Sequence, residues 1–325
     1  MNNAPLEKTM QDSYVLGIDI GGTNLRLALS SSHQIGAYRW STPLPQAPSP
    51  ESVVNSIRTG AKLLLQQAGI SQSSLIAAAA GAPGITDTAQ GIVIATSYLL
   101  GWRNVPLQAL LEEALQIPAS IDNDVNLAAL GELHSGAAHQ IDDLVFIAIG
   151  TGVGAGIVLN RQLHRGSAWS AGEIGYMLVP GVSEAPAQRG EPGALESLAG
   201  GSGIQSQWRK RWSAQATSLP IDATPTEIFT ASSARDTLAS EILSTAAKTL
   251  AYAIYNTSLI LNCKLFVLGG GIGSHPAFLK ATQRFLDKRN ARTPLAVVPS
   301  ALGPEAQLAG ALSLAWQTAA QRTKP

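Results

Sequence analysis

Two carboxylates and two carboxamides crowd into the six residues Ile121-Asp122-Asn123-Asp124-Val125-Asn126, between an apolar approach and an Ala/Leu run. So dense a set of short polar side chains suits a polyhydroxylated partner, because every hydroxyl needs its own donor or acceptor. Asp124 comes just before Asn126 to Leu133, a stretch with the composition of a helix, so its carboxylate sits at the positive end of the backbone dipole and stays ionised. A carboxylate in that state can accept a proton from a hydroxyl. Asn123 and Asp124 also have the chemistry of an ordinary helix cap, and the hexapeptide by itself allows both readings.

Phosphate chemistry is suggested elsewhere. Tyr14 to Ile20 is a β-rich apolar run that contains Asp19 near its end; Gly21-Gly22-Thr23-Asn24 follows, and Leu25, Leu27 and Leu29 then alternate with Arg26, Ala28 and Ser30. This is strand, tight turn, strand. A plain hairpin explains the glycines, but a carboxylate at the strand end and a turn whose N–H groups and Thr23 hydroxyl can wrap an anion also suit a metal-bound phosphate. A second unit of the same kind runs from Leu144 through Gly150-Thr151-Gly152-Val153-Gly154-Ala155-Gly156 to Leu159. Gly150 to Ala155 also satisfies the G-x-G-x-x-A pattern of a nicotinamide dehydrogenase. A dinucleotide turn opens a helix, however, whereas Ile157-Val158-Leu159 and Asn160 read as a second strand and a turn. Two such units imply a duplicated architecture with one phosphate-binding hairpin per lobe.

These groups need a scaffold, and the rest of the chain supplies alternating helices and strands. Four prolines between Pro43 and Pro50 mark a loop, Glu51 to Ala68 reads as an amphipathic helix, and Leu75 to Ala80 as a buried strand. That strand runs into Gly81-Ala82-Pro83-Gly84, where missing side chains let a ligand approach the backbone. Gly91 to Ala95 is a further strand, Gly101 to Pro106 a loop, Leu107 to Leu115 a helix, and Ala119 to Ile121 leads into the acidic cluster. Glu173 and Glu196 are flanked by small residues, unlike the charged face of an exposed helix. Residues 213 to 233 read as surface loop with a short helix from Pro225, and Ser240 to Asn262 as a long helix. Lys264 to Leu268 delivers Gly269-Gly270-Gly271, bare backbone on which a flat ring can lie; Pro276 to Lys288 is helical, Leu295 to Pro299 a strand, and a last helix starts with Pro304 in its first turn.

Composition narrows the classes. At 325 residues the chain is most simply two lobes with a cleft between them. Lys+Arg and Asp+Glu number 22 each, so the net charge is zero and no basic face for nucleic acid is implied. Met1 to Gln11 is polar, and no run reaches the roughly 18 apolar residues of a membrane span, so a cytoplasmic protein is expected. The single cysteine, Cys263, lies in the apolar segment Leu259 to Leu268 and reads as a core residue.

Asp19-Ile20-Gly21-Gly22-Thr23-Asn24, Asn123-Asp124-Val125-Asn126, Gly150 to Gly156, Ala171-Gly172-Glu173-Ile174-Gly175 and Leu268-Gly269-Gly270-Gly271-Ile272 stand in one order. Together they resemble the motifs of the ROK family (repressors, open reading frames and sugar kinases) of the actin-like ATPase superfamily, from Val15 to Trp316. The resemblance implies an α/β fold of two actin-like (ribonuclease H-like) domains around a central cleft. The smaller would span 12–122 with a returning C-terminal helix at 305–322, and the larger 123–304. It further implies Asp124 as general base and Asn123, Glu173 and Glu196 as holders of sugar hydroxyls, beside the open backbone at Gly84. ATP with Mg²⁺ would meet Asp19, Gly21, Gly22, Thr23 and Asn24, then Gly150, Thr151, Gly152 and Gly154, and finally Gly269, Gly270 and Gly271.

The departures are specific. Tyr176 stands where many members carry a zinc-ligating histidine, and either its hydroxyl takes over a sugar contact or its ring fills the space. Of the family's C-x-C-G-x-x-G-C-x-E zinc motif, Gly190, Gly193 and Glu196 remain, while Ala187, Arg189 and Ala194 occupy the cysteine positions. The hold on the loop bearing Glu196 is thereby left open. The expected activity is an ATP-dependent hexose kinase, glucokinase first, with N-acetylhexosamine, mannose or fructose kinases and polyphosphate as donor left open. A sugar-responsive repressor without its DNA-binding domain is the alternative of another class. Partners would be the hexose and ATP, neither nucleic acid nor membrane, and a homodimer fits the family's habit. A closed zinc site needs four ligands of the right kind, so the sequence predicts no structural zinc; elemental analysis finding one zinc per purified chain would contradict this.

Overall fold

A computed structural model describes residues 13–32, 36, 38–182, 191–289 and 294–322. The chain divides into two units: one holds residues up to Ser135, Arg165–Ser170 and everything from Glu305, the other Gly136–His164 and Ala171–Pro304. Among the described residues no helix is long and apolar enough to cross a membrane.

Each unit is built on a five-stranded sheet of one plan. In the first unit Tyr14–Ile20 (β1), Asn24–Ser31 (β2) and Tyr38–Pro43 (β3) form an antiparallel meander, and Leu75–Ala82 (β4) and Ala119–Asn123 (β8) extend it in parallel beyond β1. In the second, Leu144–Ile149 (β9), Val153–Leu159 (β10) and Gln162–Leu163 (β11) make the meander, and Leu265–Gly269 (β12) and Ala296–Pro299 (β13) the parallel extension. The duplication expected from the two glycine turns is therefore a duplication of whole sheets. Because β10 runs back antiparallel to β9, no helix opens at Gly150 and the dehydrogenase reading falls.

Alternation along the strands decides which helix covers which face. Leu16, Ile18 and Ile20 of β1 pack with Val53, Ile57 and Leu64 of the helix Pro50–Ala68 (α1), whose first turn is capped by Ser49. Val15, on the opposite face, packs with Ala77 and Ala79 of β4 and with Leu308, Leu312 and Ala315 of the C-terminal helix. Leu107–Leu115 (α2) closes the first cluster and Asp124–Ser135 (α3) follows β8 directly. The second unit carries Ala194–Ala199 (α4), Gly201–Arg211 (α5), Pro225–Ser233 (α6), Thr237–Leu261 (α7), Gly270–Gly273 (α8) and Pro276–Asp287 (α9). Ile242, Ala246, Leu250 and Ile254 of α7 bury against a core that includes Trp208 and Phe229.

Several elements differ from expectation. Tyr38–Pro43 is an edge strand, with Pro43 at its very end where no further ladder bond is needed, and the proline-rich loop begins only after it. Ile85–Asp87 (β5), Ile92–Ala95 (β6) and Arg103–Val105 (β7) form a small sheet, so part of the supposed loop at 101–106 is strand. Pro304 lies in a single 3-10 turn, Gly303–Glu305, ahead of the last helix, Ala306–Arg322 (α10).

α3 groups with the first unit because it lies hard against α10. A Cβ built on Gly131 would come 2.3 Å from the Ala306 carbonyl oxygen, and one on Gly310 would come 1.8 Å from that of Leu127. Helix propensity favours Gly310→Ala by about 1 kcal/mol. Forcing the helices apart costs about 1–3 kcal/mol or more, and it also displaces the turn that bears Asp124. The balance leaves Gly310→Ala between neutral and about 2 kcal/mol or more less stable in urea unfolding, and a stabilised variant would contradict this packing.

Candidate active site

β8 ends at Asn123 and α3 begins at Asp124. The Asn123 carboxamide does the capping: its Oδ1 accepts the N–H groups of Val125 (2.8 Å) and Asn126 (3.1 Å), and its Nδ2 donates to the Gly84 carbonyl (2.9 Å). Gly84 can present that carbonyl because its φ is +99° and any Cβ would fall 2.2 Å from the Ala95 oxygen. With the cap made by Asn123, Asp124 stands in the first turn of the helix, Oδ1 3.0 Å from the Val125 nitrogen. Asn123 thereby keeps one Nδ2 hydrogen for any outside ligand.

Beneath this loop is a carboxylate whose role the sequence did not disclose. Asp122 is 1% exposed. Its Oδ1 accepts from the Asn123 N–H (2.8 Å) and Asn126 Nδ2 (2.9 Å), while Oδ2 takes Arg165 Nε (2.8 Å) and Nη2 (2.6 Å). Asn126 Oδ1 is buried and meets no donor among the described residues.

The first glycine turn stays in the same unit. Arg26, directly opposite Asp19 in the β1–β2 register, places Nε (2.8 Å) and Nη2 (2.6 Å) on Asp19 Oδ2 and reaches Glu305 Oε1 at 3.5 Å. Glu305 also pairs with Arg39. Burial pushes the Asp19 carboxyl above its ordinary value; the charge and hydrogen bonds of Arg26 pull it down, and Glu305 pushes it up. Gly21 N–H bonds the Asn24 carbonyl (2.9 Å) and Leu44 N–H bonds that of Thr23 (2.7 Å), closing the turn. The N–H groups of Gly22 and Thr23 have no backbone acceptor among the described residues, an arrangement that can cradle an anion. Asn24 Nδ2 donates to Thr23 Oγ1 (3.0 Å).

In the second unit, Gly150 N–H bonds the Gly152 carbonyl (3.1 Å), and the first turn of α5 hangs from the same loop: Gly201 N–H on the Gly150 oxygen (2.9 Å), Ser202 N–H on that of Thr151 (3.2 Å). Gly154 is not in the turn but within β10, opposite Ala148. Two successive odd positions of β10 then carry the two glutamates. Val153 N–H donates to Glu196 Oε2 (2.8 Å), and Ala155 N–H donates to the Gly172 carbonyl (2.8 Å), one residue before Glu173. Gly172 has φ +96° and lies so close that a Cβ would be 1.9 Å from the Ala155 oxygen. The Glu196 loop is held further by Leu195 N–H on the Met177 carbonyl (3.1 Å) and by Gly193, whose Cβ would be 2.3 Å from the Gly175 oxygen. Backbone bonds and close packing thus fix Gly193 to Glu196; Ala187, Arg189 and Gly190 lie outside the described residues.

Tyr176 is 60% exposed, so its ring is not packed into the core of its unit. Glu173 is exposed at the surface, yet partial desolvation and then the charge of Glu196 push its carboxyl up. Desolvation, followed by Glu173 and Glu196, also raises the Tyr176 phenol, which stays a hydrogen-bond donor.

The third glycine run is only partly explained by a ligand. A Cβ on Gly269 would strike the Phe146 ring at 2.2 Å and one on Gly270 the Ile149 oxygen at 2.3 Å, so packing against β9 demands both; Gly271 alone faces open space. Cys263 is 1% exposed, and burial pushes its thiol up, as suits an inert core residue.

The profile of the ROK family matches residues 15–318. The glucokinase of Halalkalibacterium halodurans is 32% identical over 270 residues, 81% of this chain and 82% of its own. The N-acetylmannosamine kinase of Escherichia coli O6:H1 is 26% identical over 271 residues, 83% of this chain and 87% of its own. The crystal structure of a ROK family glucokinase from Streptomyces griseus, in complex with glucose and AMPPNP, superposes with a TM-score of 0.76 at 25% identity, covering 94% of this chain and all (100%) of that one.

The Glu173–Glu196 coupling has a sign. A raised carboxyl loses its charge on acidification earlier than an ordinary glutamate, and Glu196 is the second cause of the rise. Glu196→Gln, which still accepts from Val153 N–H, is therefore expected to move the Glu173 titration to lower pH, followed by carboxyl-carbon NMR. An unchanged or raised midpoint would contradict the shared electrostatics.

Proposed function

The chain belongs to the ROK family, and on that premise we propose that it is an ATP-dependent hexose kinase, transferring the γ-phosphoryl of ATP to a sugar hydroxyl, with glucose as substrate and glucose 6-phosphate as product. The observation that carries the reading is the division of labour at the start of α3: Asn123 caps the helix, and Asp124 is placed in its first turn, where the dipole favours a charged carboxylate. A helix that needed only a cap would not require the second acid.

The residues fit a magnesium-bound nucleotide. Gly22 and Thr23 offer N–H groups without backbone partners among the described residues, Arg26 bonds Oδ2 of Asp19 so that Oδ1 would serve a cation or its water, and Gly271 leaves bare backbone for a base. When bound, Mg²⁺ and ATP supply the phosphoryl group and offset charge as it transfers. The chain's own part is positioning and proton handling. Asp124 accepts the proton of the attacking hydroxyl, the remaining Nδ2 hydrogen of Asn123 orients the sugar, and Glu173, Glu196 through Oε1 and the Tyr176 hydroxyl hold other hydroxyls. The nucleotide side falls to Asp19, Gly21 to Asn24, Gly150 to Gly152 and Gly271.

Glucose ranks first because the glucokinase likeness is the stronger of the two relatives, and the likeness to an N-acetylmannosamine kinase keeps an N-acetylhexosamine as second reading. A panel of hexoses and N-acetylhexosamines with ATP, read by coupled ADP release, decides between them. Glucose is expected to turn over fastest, and excess chelator to abolish the rate. ADP release with no sugar in the panel would sink the kinase reading, and full activity in chelator would sink the metal requirement.

A further inference from the structure

We propose that Arg165 is a positioning residue for the general base, acting through Asp122; this rests on the kinase reading above. Arg165–Ser170 groups with the first unit, although the chain on both sides of it, up to His164 and from Ala171, groups with the second. Its guanidinium places Nε and Nη2 at 2.8 and 2.6 Å from one oxygen of Asp122. Asp122 is 1% exposed, while Arg165 keeps 27% of its side chain open, so the acid is the buried partner and the arginine reaches in from the surface. The other Asp122 oxygen holds the Asn123 N–H and the Asn126 side chain, the two residues that flank Asp124 in the motif. Asn123 in turn fixes the first turn of α3 and Gly84. The chain of contacts thus runs from Arg165 to Asp122, and from Asp122 to both sides of Asp124.

A buried carboxylate whose cation is removed either takes up a proton or recruits water, and in both cases its acceptor geometry changes. A proton or a water at Asp122 Oδ2 disturbs the bonds at Oδ1, and the turn holding Asp124 relaxes. The effect should appear in handling of the hexose and not of ATP, because Asn123 and Asp124 meet the sugar. Loss of folded protein would look different: it lowers kcat in proportion and leaves both KM values alone.

The experiment compares the full chain with Arg165→Met, Arg165→Lys and the double variant Arg165→Met/Asp122→Asn, using the hexose turned over fastest and thermal melting to establish folding. Arg165→Met is expected to lower kcat by roughly 10- to 100-fold and to raise the hexose KM several-fold, with the ATP KM within about two-fold of the starting value, a positioning loss of the size seen when a reacting group is displaced. Arg165→Lys keeps the charge with a single-pronged contact and should fall between. The double variant removes the stranded charge yet keeps an oxygen for Asn126 and the Asn123 N–H, so it should recover part of the lost kcat; should Arg165→Met fail to fold, the folded Arg165→Lys and double variants carry the comparison. Folded variants with unchanged hexose KM and kcat, or a double variant no faster than a folded Arg165→Met, would overturn the inference. An unaltered chain that phosphorylates no hexose would instead sink the kinase reading, and this inference with it.

Discussion

Asn123 engages both ends of its carboxamide with the backbone, and the arrangement of the candidate site depends on that. Its oxygen accepts the N–H groups of Val125 and Asn126 at the start of α3, the first of them shared with Asp124 Oδ1, and its nitrogen ties the turn to Gly84. Replacing such a cap typically costs about 1 kcal/mol. Here the consequence is also chemical, because the neighbouring acid is placed in the first turn by a cap it does not itself provide. Asp122 supports the arrangement from below, and α10 supports it from the side at a distance only glycines at 131 and 310 permit.

The second unit uses one strand to place two acids. β10 leaves the Gly150 turn and offers the N–H groups of Val153 and Ala155 on one side; the first holds the Glu196 carboxylate and the second the carbonyl before Glu173. The Gly150 turn and the strand that places the carboxylates are therefore continuous backbone. In the first unit the same strand-turn-strand plan puts Asp19 before its turn and Arg26 after it, so the duplicated sheets carry different chemistry on equivalent positions. The second hairpin also anchors α5, through the Gly201 and Ser202 N–H groups on the turn's carbonyls.

Much of this was legible in the residues. β1, α2 and β9 have the bounds that hydrophobic patterning implies, because each is a continuous or strictly periodic apolar run closed by a turn or cap. The small sheet of β5, β6 and β7 escaped because three- and four-residue strands are too short to show a period. β3 escaped because Tyr38 to Pro43 is an edge strand of alternating exposure that ends in proline. At the site, motif spacing pointed to Asn123, Asp124, Glu173 and Glu196 but not to what holds them. Arg26 could have been found, since a hairpin that closes at Gly21 to Asn24 places it opposite Asp19. Arg165 could not, for it lies 43 residues from Asp122 and its pairing depends on tertiary structure. Gly269 and Gly270 carry a demand that the sequence did not show: each is needed where β12 meets Phe146 and Ile149 of β9.

The central claim is that Asp124 takes the hydroxyl proton while Asn123 keeps the helix. Asp124→Asn preserves size and hydrogen-bonding ability and removes only the charge that accepts the proton. With the cap on Asn123, the variant should fold with unchanged stability and bind the hexose nearly as before by calorimetry. Its kcat should fall by roughly 10² to 10⁴, or about 3 to 5 kcal/mol of barrier. Turnover at the unaltered rate from a properly folded Asp124→Asn protein would contradict the account.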